Sequence, residues 1–389
     1  MTSHRLRRLC ALAATLAVSA ALAYDGPVEK KVFTLASYTT VGGRTIKNVR
    51  VGYETYGKLN AAGDNAVFVA HFFSGTSHAA GKYKPSDATP GYWDAIIGSG
   101  RPIDTDRYFV VSADTLSNLN VKDPNTVTTG PASIDPDTGK PYAMTFPVIS
   151  MRDSVKVHRA LLDSLGVKRL QAAAGASGGS VQAMEWAALY PDYVARVIHV
   201  IGPGFDIHPY VLELLDVWSL PIRLDPRWNG GNYYGKEEPV DGVAQSLKIV
   251  TLTARHFGWA EKTFGYKWAD PARNPGGAMD NRFGIEDALE KAGVARAKST
   301  DANSLLYMAK ANQLYNLGDD VKRMKARILF VPSRSDMIFP PELSQRAAER
   351  YRAQGGVAEV AVIDGDGGHL DGVFNVAKQG EAIRAFLAR

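Results

Sequence analysis

Cysteine is nearly missing from this chain. The 389 residues contain a single one, Cys10, inside the opening segment. No internal disulfide can form, and beyond that segment no thiol is left for catalysis or for a thiolate metal site. Paired Cys/His spacings and the H-E-x-x-H pattern are also absent, and no glycine-rich turn carries the lysine of a phosphate-binding loop. The sequence therefore implies no metal and no cofactor. A large charge of one sign is lacking too. The formal charge is +5, but Arg5, Arg7 and Arg8 supply three of the basic residues in a stretch without acids, and the remainder nearly balances. Neither nucleic acid nor any other polyanion is implied as a partner. After the first two dozen residues no run is long and apolar enough for a membrane span, and no internal repeat or low-complexity tract is visible.

What is present begins with "MTSHRLRRLCALAATLAVSAALA". A basic start, a short apolar stretch and an Ala-Leu-Ala end read as a cleavable signal peptide over residues 1–23, cut after Ala23 so that Tyr24 leads the mature chain. The expected location is periplasmic or secreted, with no stable membrane insertion after cleavage; an uncleaved anchor and a buried helix are the competing readings. With 45% hydrophobic residues, the chain can bury a large core.

Apolar β-rich runs such as "AVFVAHFF" (66–73), "RYFVVSAD" (107–114), "VARVIHVIG" (194–202) and "ARILFVPS" (326–333) alternate with amphipathic stretches such as "RDSVKVHRALLDSLGV" (152–167). Short, continuously apolar strands separated by helices predict an α/β fold, with a mostly parallel sheet flanked by helices. The alternation stops over 206–320, where helical periods such as "VAQSLKIVTLTARHFGWAEKTF" are joined by Gly/Pro/Asn-rich links. The expected organisation is one core, 24–205 with 321–389, interrupted by a helical insertion over 206–320.

The most informative stretch is "AAAGASGGSVQA" (172–183). Gly175-Ala176-Ser177-Gly178-Gly179 fits G-x-S-x-G between a strand-like and a helix-like segment, the pattern of a nucleophile elbow. Small residues suit that turn because bulky neighbours would collide with the flanking strand and helix. A helix starting behind Ser177 also offers free N–H groups where an oxyanion would form.

A serine hydroxyl needs a general base, itself oriented by a carboxylate, and in this arrangement the chain order is Ser, acid, His. Asp336 lies just past one late apolar strand and His369 in a Gly-rich loop past the next, both at strand carboxyl ends. His4, His71, His78, His158, His199, His208 and His256 fit less well by order or by context. Asp364, Asp366 and Asp371 rival Asp336, but they crowd the loop that holds His369. That loop, "DGDGGHLDG", resembles a calcium loop without a full ligand set.

The strings "YETYGKLN" (53–60), "AHFFSGTSHAAG" (70–81), "GYWDAIIGSGRPIDTDRYFVV" (91–111), "GPASIDPDTGKPYAMTFPVISMRD" (130–153), the elbow with "VQAMEWAALYP", and "SDMIFPP" (335–341) resemble the homoserine O-acetyltransferases of the α/β-hydrolase fold. The resemblance covers most of the chain and is densest from 53 to 200. It implies Ser177 as nucleophile, Asp336 and His369 as its partners, and an oxyanion hole from the backbone N–H groups of Phe73 and Gly178. It also implies that 206–320 is a lid, with Arg255 meeting the acceptor's carboxylate. In that family an Asp directly follows the catalytic His and helps hold the acceptor; here Leu370 follows His369, and Asp371 comes one place later as the displaced candidate for that role. The family's Cys-containing stretch before "GPAS" and the usual opening of its lid are also missing.

An exported Ser-His-Asp enzyme acting on a small-molecule ester or thioester follows, with ester hydrolysis expected. O-acyl transfer to a small alcohol is the first alternative, and a non-catalytic binding protein on the same fold is the second. Acetyl-CoA is a cytoplasmic metabolite, so export itself favours water as the acceptor. The acyl chain length and the oligomeric state, a homodimer among the options, stay open.

Overall fold

The computed structural model describes residues 24, 26 and 28–389; the expected signal peptide, residues 1–23, lies outside them. A long antiparallel hairpin, β1 (Lys31–Thr39) and β2 (Thr45–Tyr56), is followed by β3 (Ala66–Ala70) and a minor parallel pair, β4 (Ile97–Gly98) and β5 (Ile103–Asp104). Next come β6 (Phe109–Ala113), α1 (Met151–Ser164), β7 (Leu170–Ala176), α2 (Gly178–Leu189) and β8 (Arg196–Val200). Before the next strand the chain forms α3 (Pro209–Leu224), α4 (Val240–Thr253), α5 (Phe257–Thr263), α6 (Gly284–Ala297) and α7 (Ala302–Gln313). β9 (Arg327–Val331), α8 (Pro341–Ala353), β10 (Ala358–Val360), the single turn α9 (Asp371–Phe374) and α10 (Gly380–Ala388) complete the chain.

The main sheet runs β1-β2-β6-β3-β7-β8-β9-β10. Only the pairings made by β2 are antiparallel; from β6 to β10 every pairing is parallel. The mostly parallel α/β architecture expected from the alternating runs is the one observed. Its cause is visible strand by strand. In β3, Ala66, Phe68 and Ala70 enter the core on one face while Val67 and Val69 enter the core on the other; Ile328 and Phe330 against Leu329 and Val331 repeat this in β9. A strand buried on both faces has no polar side, which is why these runs read as continuously apolar.

Two expected elements end early, and both ends matter for the site. The run 66–73 leaves the sheet after Ala70. His71 there bonds backbone groups outside the ladder, with Nδ1 against the Phe72 carbonyl (2.8 Å) and Nε2 against the Thr115 N–H (3.1 Å). The helical period over 243–264 breaks between Thr253 and Phe257, because the His256 side chain caps α5 by accepting from the Gly258 N–H at 3.2 Å. That break carries Arg255.

Three histidines are locked neutral in the interior. Burial pushes His199 down to about 3 and His158 down to about 4, and it lowers His71 as well. The hydrogen bonds agree: Nε2 of His199 accepts from the Gly204 N–H, which it could not do if protonated. With the folded pKa below the unfolded one, their contribution to stability is complete above about pH 6.5. It falls as pH drops, by about 1.4 kcal/mol per pH unit each for His199 and His158 between their unfolded and folded values. The chemical-denaturation midpoint should therefore be level from about pH 7 to 8 and fall steeply between about 6.5 and 5, and His199→Gln should make that slope shallower. A midpoint that does not move over this range contradicts the assignment.

Candidate active site

The turn between β7 and α2 is built by crowding. A Cβ added at Gly175 would lie 2.3 Å from the Gly179 carbonyl carbon, and one at Gly179 would lie 2.2 Å from the Ala70 carbonyl oxygen. Only hydrogen fits at either place. Ser177, between them, has φ 56° and ψ −122°, a region that a non-glycine residue occupies only when its surroundings enforce it. Its N–H is tied to the Val200 carbonyl at 2.9 Å. Ser180 is fully buried one turn on, and its hydroxyl donates to the Ser177 carbonyl at 2.6 Å.

The Ser177 Oγ stands 2.7 Å from Nε2 of His369, and Nδ1 of His369 stands 2.8 Å from Oδ2 of Asp336. The other oxygen of Asp336 accepts from the backbone N–H groups of Ile338 and Phe339 at 2.9 and 3.0 Å. The carboxylate is thus fixed from behind, and Phe339 packs edge-on against the His369 ring. Asp336 is 4% exposed and His369 6%, so the relay is shielded while Ser177 lines an open cavity. The three side chains follow the carboxyl ends of β7, β9 and β10, parallel strands of one sheet in which β8 separates β7 from β9. This arrangement can deprotonate a hydroxyl as it attacks a carbonyl.

The Phe73 and Gly178 amides are adjacent, since a Cβ on Gly178 would lie 3.6 Å from the Phe73 nitrogen. Among the described residues, neither N–H has a protein acceptor. Two free donors beside Ser177, one of them opening α2, suit an oxygen that gains negative charge.

The cavity over Ser177 measures about 360 Å³. Aromatic and aliphatic side chains form most of its wall, among them Phe72, Phe73, Trp218 and the half-buried Leu370, and two guanidiniums, Arg255 and Arg296, join them. Among the described residues, none of the lining side chains is a carboxylate. Arg255 lies in the break after α4, with its guanidinium 4.7 Å from the centre of the Trp259 ring.

Asp371 is a correction. Expected at the acceptor, it is 0% exposed and turned away from the cavity. Its carboxylate accepts from the Ser333 Oγ (3.0 Å), the Gly367 N–H (3.1 Å) and the Asn375 side-chain amide (2.6 Å). It therefore ties the loop of Asp336 to the loop of His369. The one-residue displacement from His369 rotates the carboxylate inward, because His369 sits in a short helical turn that continues into α9. Asp364 and Asp366 point outward instead, toward Arg334 at 2.8 and 3.7 Å. The acids of this loop consequently do not converge, and among the described residues no cluster of three or more His, Cys, Asp or Glu could hold a metal. Sequence reasoning missed Arg296 and the tie made by Asp371. An arginine among alanines on α6 carries no local sign of facing a cavity.

Comparison with known proteins gives a consistent result. The α/β-hydrolase fold family matches residues 98–375. The homoserine O-acetyltransferase of Symbiobacterium thermophilum is 37% identical over 359 residues, covering 89% of this chain and 90% of that protein. That of Moorella thermoacetica is 38% identical over 352 residues, covering 89% and 92%. Among solved structures, esterase E22 is 46% identical with a TM-score of 0.88, covering 92% of this chain and 100% of that one. Homoserine O-acetyltransferase from Bacillus anthracis is 36% identical with the same TM-score, covering 94% and 98%.

The tie made by Asp371 is testable apart from any chemistry. Asp371→Ala strands the buried Ser333 hydroxyl and the half-buried Gly367 N–H, and should lower unfolding stability by about 3 kcal/mol. Thermal and chemical denaturation measure this; a loss below about 0.5 kcal/mol, the usual size for a surface substitution, would show that the two loops do not depend on it.

Proposed function

This chain belongs to the homoserine O-acetyltransferase-like family of the α/β-hydrolase fold, and on that premise we propose that it is a serine acyl-transfer enzyme whose acceptor is water. The observation that carries the chemistry is the unbroken relay from Ser177 Oγ through His369 to Asp336, 2.7 and 2.8 Å long. Ser177 attacks the ester carbonyl as His369 takes its proton. The amides of Phe73 and Gly178 hold the resulting oxyanion, and His369 returns the proton to the departing alcohol. An acyl group is left on Ser177. Water, activated by His369 in the same way, then releases the acid. Asp336 keeps His369 in the tautomer with the proton on Nδ1 and balances the imidazolium.

The choice of water over an amino-acid alcohol rests on the cavity. Homoserine brings an ammonium group, and among the described residues no carboxylate lines the wall to receive it. Leu370 stands directly after His369, where the family carries an Asp, and Asp371 is committed to the loops behind. The helical segment between β8 and β9 acts as the lid: Thr251, Arg255 and Arg296 from it close the cavity over Ser177. Export completes the proposal. It rests on residues 1–23, and no helix of the described residues is long and apolar enough to cross a membrane. Recovery of a chain starting at Tyr24 from the periplasm or medium is the expected outcome; a full-length chain confined to the cytoplasm contradicts export and returns weight to acetyl-CoA as donor.

Ser177→Ala and His369→Ala should each lower turnover of an activated ester by several orders of magnitude, with the double variant little worse, because members of a relay act as a unit. Asp336→Asn should lower it by roughly 10⁴-fold through loss of the correct tautomer. Near-native rates in Ser177→Ala would end the proposal. The acceptor is tested separately, by asking whether free acid accumulates at full rate with no alcohol added. Turnover that stops after one acyl group per chain until homoserine is supplied contradicts hydrolysis.

A further inference from the structure

The two arginines of the cavity have different surroundings. Arg255 stacks on Trp259, and Asp371 provides a distant opposing charge. Arg296, on the last turn of α6, has neither. Among the described residues, the one hydrogen bond its guanidinium makes runs from Nη1 to the Thr251 Oγ at 2.8 Å, and no carboxylate lies within salt-bridge distance. Burial lowers its pKa with no opposing charge to offset the effect. Nearby carboxylates are spent elsewhere: Glu290, on the same helix, pairs with Lys248 at 2.9 Å, and Asp287 pairs with Lys291 at 2.8 Å.

A guanidinium offers five N–H donors in a planar fork suited to carboxylate. Arg296 uses one of the five on a neutral hydroxyl, while it lines the same cavity as Ser177 and His369. Leaving a half-buried cation without a counter-charge destabilises the free protein, and an anionic ligand removes that penalty. The hydroxyl of Thr251, in α4, holds the fork to the wall, so little side-chain freedom remains to be lost on binding. At about 360 Å³ the cavity lies near the lower end of small-molecule sites. One short ester can therefore span it, with its carbonyl at Ser177 and its far end on the lid.

We propose that Arg296 forms an anion subsite at the lid wall of the cavity, and that the enzyme prefers esters carrying a carboxylate on the arm remote from the scissile bond. This deepens the acyl-transfer reading and rests on it. The subsite is separate from Arg255, because the two arginines stand on different elements and Arg296 has its own anchor in Thr251.

The test pairs esters that differ only in the distal group. Mono-4-nitrophenyl glutarate against 4-nitrophenyl pentanoate places the carboxylate on the acyl arm, and 4-acetoxybenzoate against 4-methylphenyl acetate places it on the alcohol arm. Arg296→Gln keeps a donor for Thr251 but removes the charge. It should lower the acidic-to-neutral ratio of kcat/KM by about tenfold or more in at least one pair, mostly through KM. Lys291→Gln, exposed on the same helix and outside the cavity, should keep the ratio of the unaltered enzyme. Binding gives an arm independent of turnover: calorimetry with glutarate on the Ser177→Ala protein should show binding that Arg296→Gln weakens by about the same factor. Failure of every ester to react would remove the acyl-transfer reading, and glutarate binding alone would then decide the subsite. Ratios unchanged by Arg296→Gln, together with glutarate that does not bind or binds both proteins equally, overturn the proposal.

Discussion

The site depends on one close approach, that of the start of α2 to the backbone of β3. Gly179 faces the Ala70 carbonyl across a gap that a methyl group could not enter. This contact forces the tight turn after β7, and the turn holds Ser177 at positive φ with its hydroxyl above the sheet. The same approach brings the Gly178 amide beside that of Phe73, so one steric constraint positions both the Ser177 hydroxyl and the two free N–H donors next to it. The strain at Ser177 is sustained by the buried surroundings of α2, whose residues from Gly178 to Ala188 are all buried. A helix packed on every side cannot relax the turn that begins it.

Much of this was legible in the sequence because the constraint is local. Glycine at 175, 178 and 179 around Ser177 records the crowding directly, and the apolar runs record strands covered on both faces. Asp336 and His369 could be picked out because a parallel sheet collects the residues following its strands along one edge, so position after a late strand translates into position in space. Where reasoning from sequence fell short, tertiary contact decides the outcome. Asp371 is one residue from the place the family pattern suggests, and on a helical turn one residue is enough to carry a carboxylate from a cavity into the core. The end of β3 at Ala70 and the break before α5 both follow from histidine side chains competing for backbone groups, which an apolar or helical period cannot register. Arg296 is set by the packing of α6 against α4, and nothing in its own neighbourhood announces it.

Charge placement is what the proposed choice of water as acceptor rests on. Acidic side chains near the cavity are paired or turned inward: Asp336 to His369, Asp371 to the loops behind, Glu290 to Lys248. The wall is left apolar with two cations. Such a charge distribution favours anions, and among the described residues no lining carboxylate is left for an ammonium group. The geometry of Ser177, His369 and Asp336 is compatible with many acyl transfers, and in the proposed reading these few surrounding charges select the acceptor and the form of the ester.

The central claim is that acyl transfer passes through a covalent intermediate on Ser177. Rapid acid quenching of the enzyme during turnover of an activated ester, followed by intact-mass measurement and peptide mapping, tests it directly. One acyl group per chain is expected, on the peptide containing Ser177 and at that residue, formed and lost at rates consistent with turnover. An acyl group at any other residue, or steady turnover with no covalent species trapped when acylation is made faster than release, would contradict it.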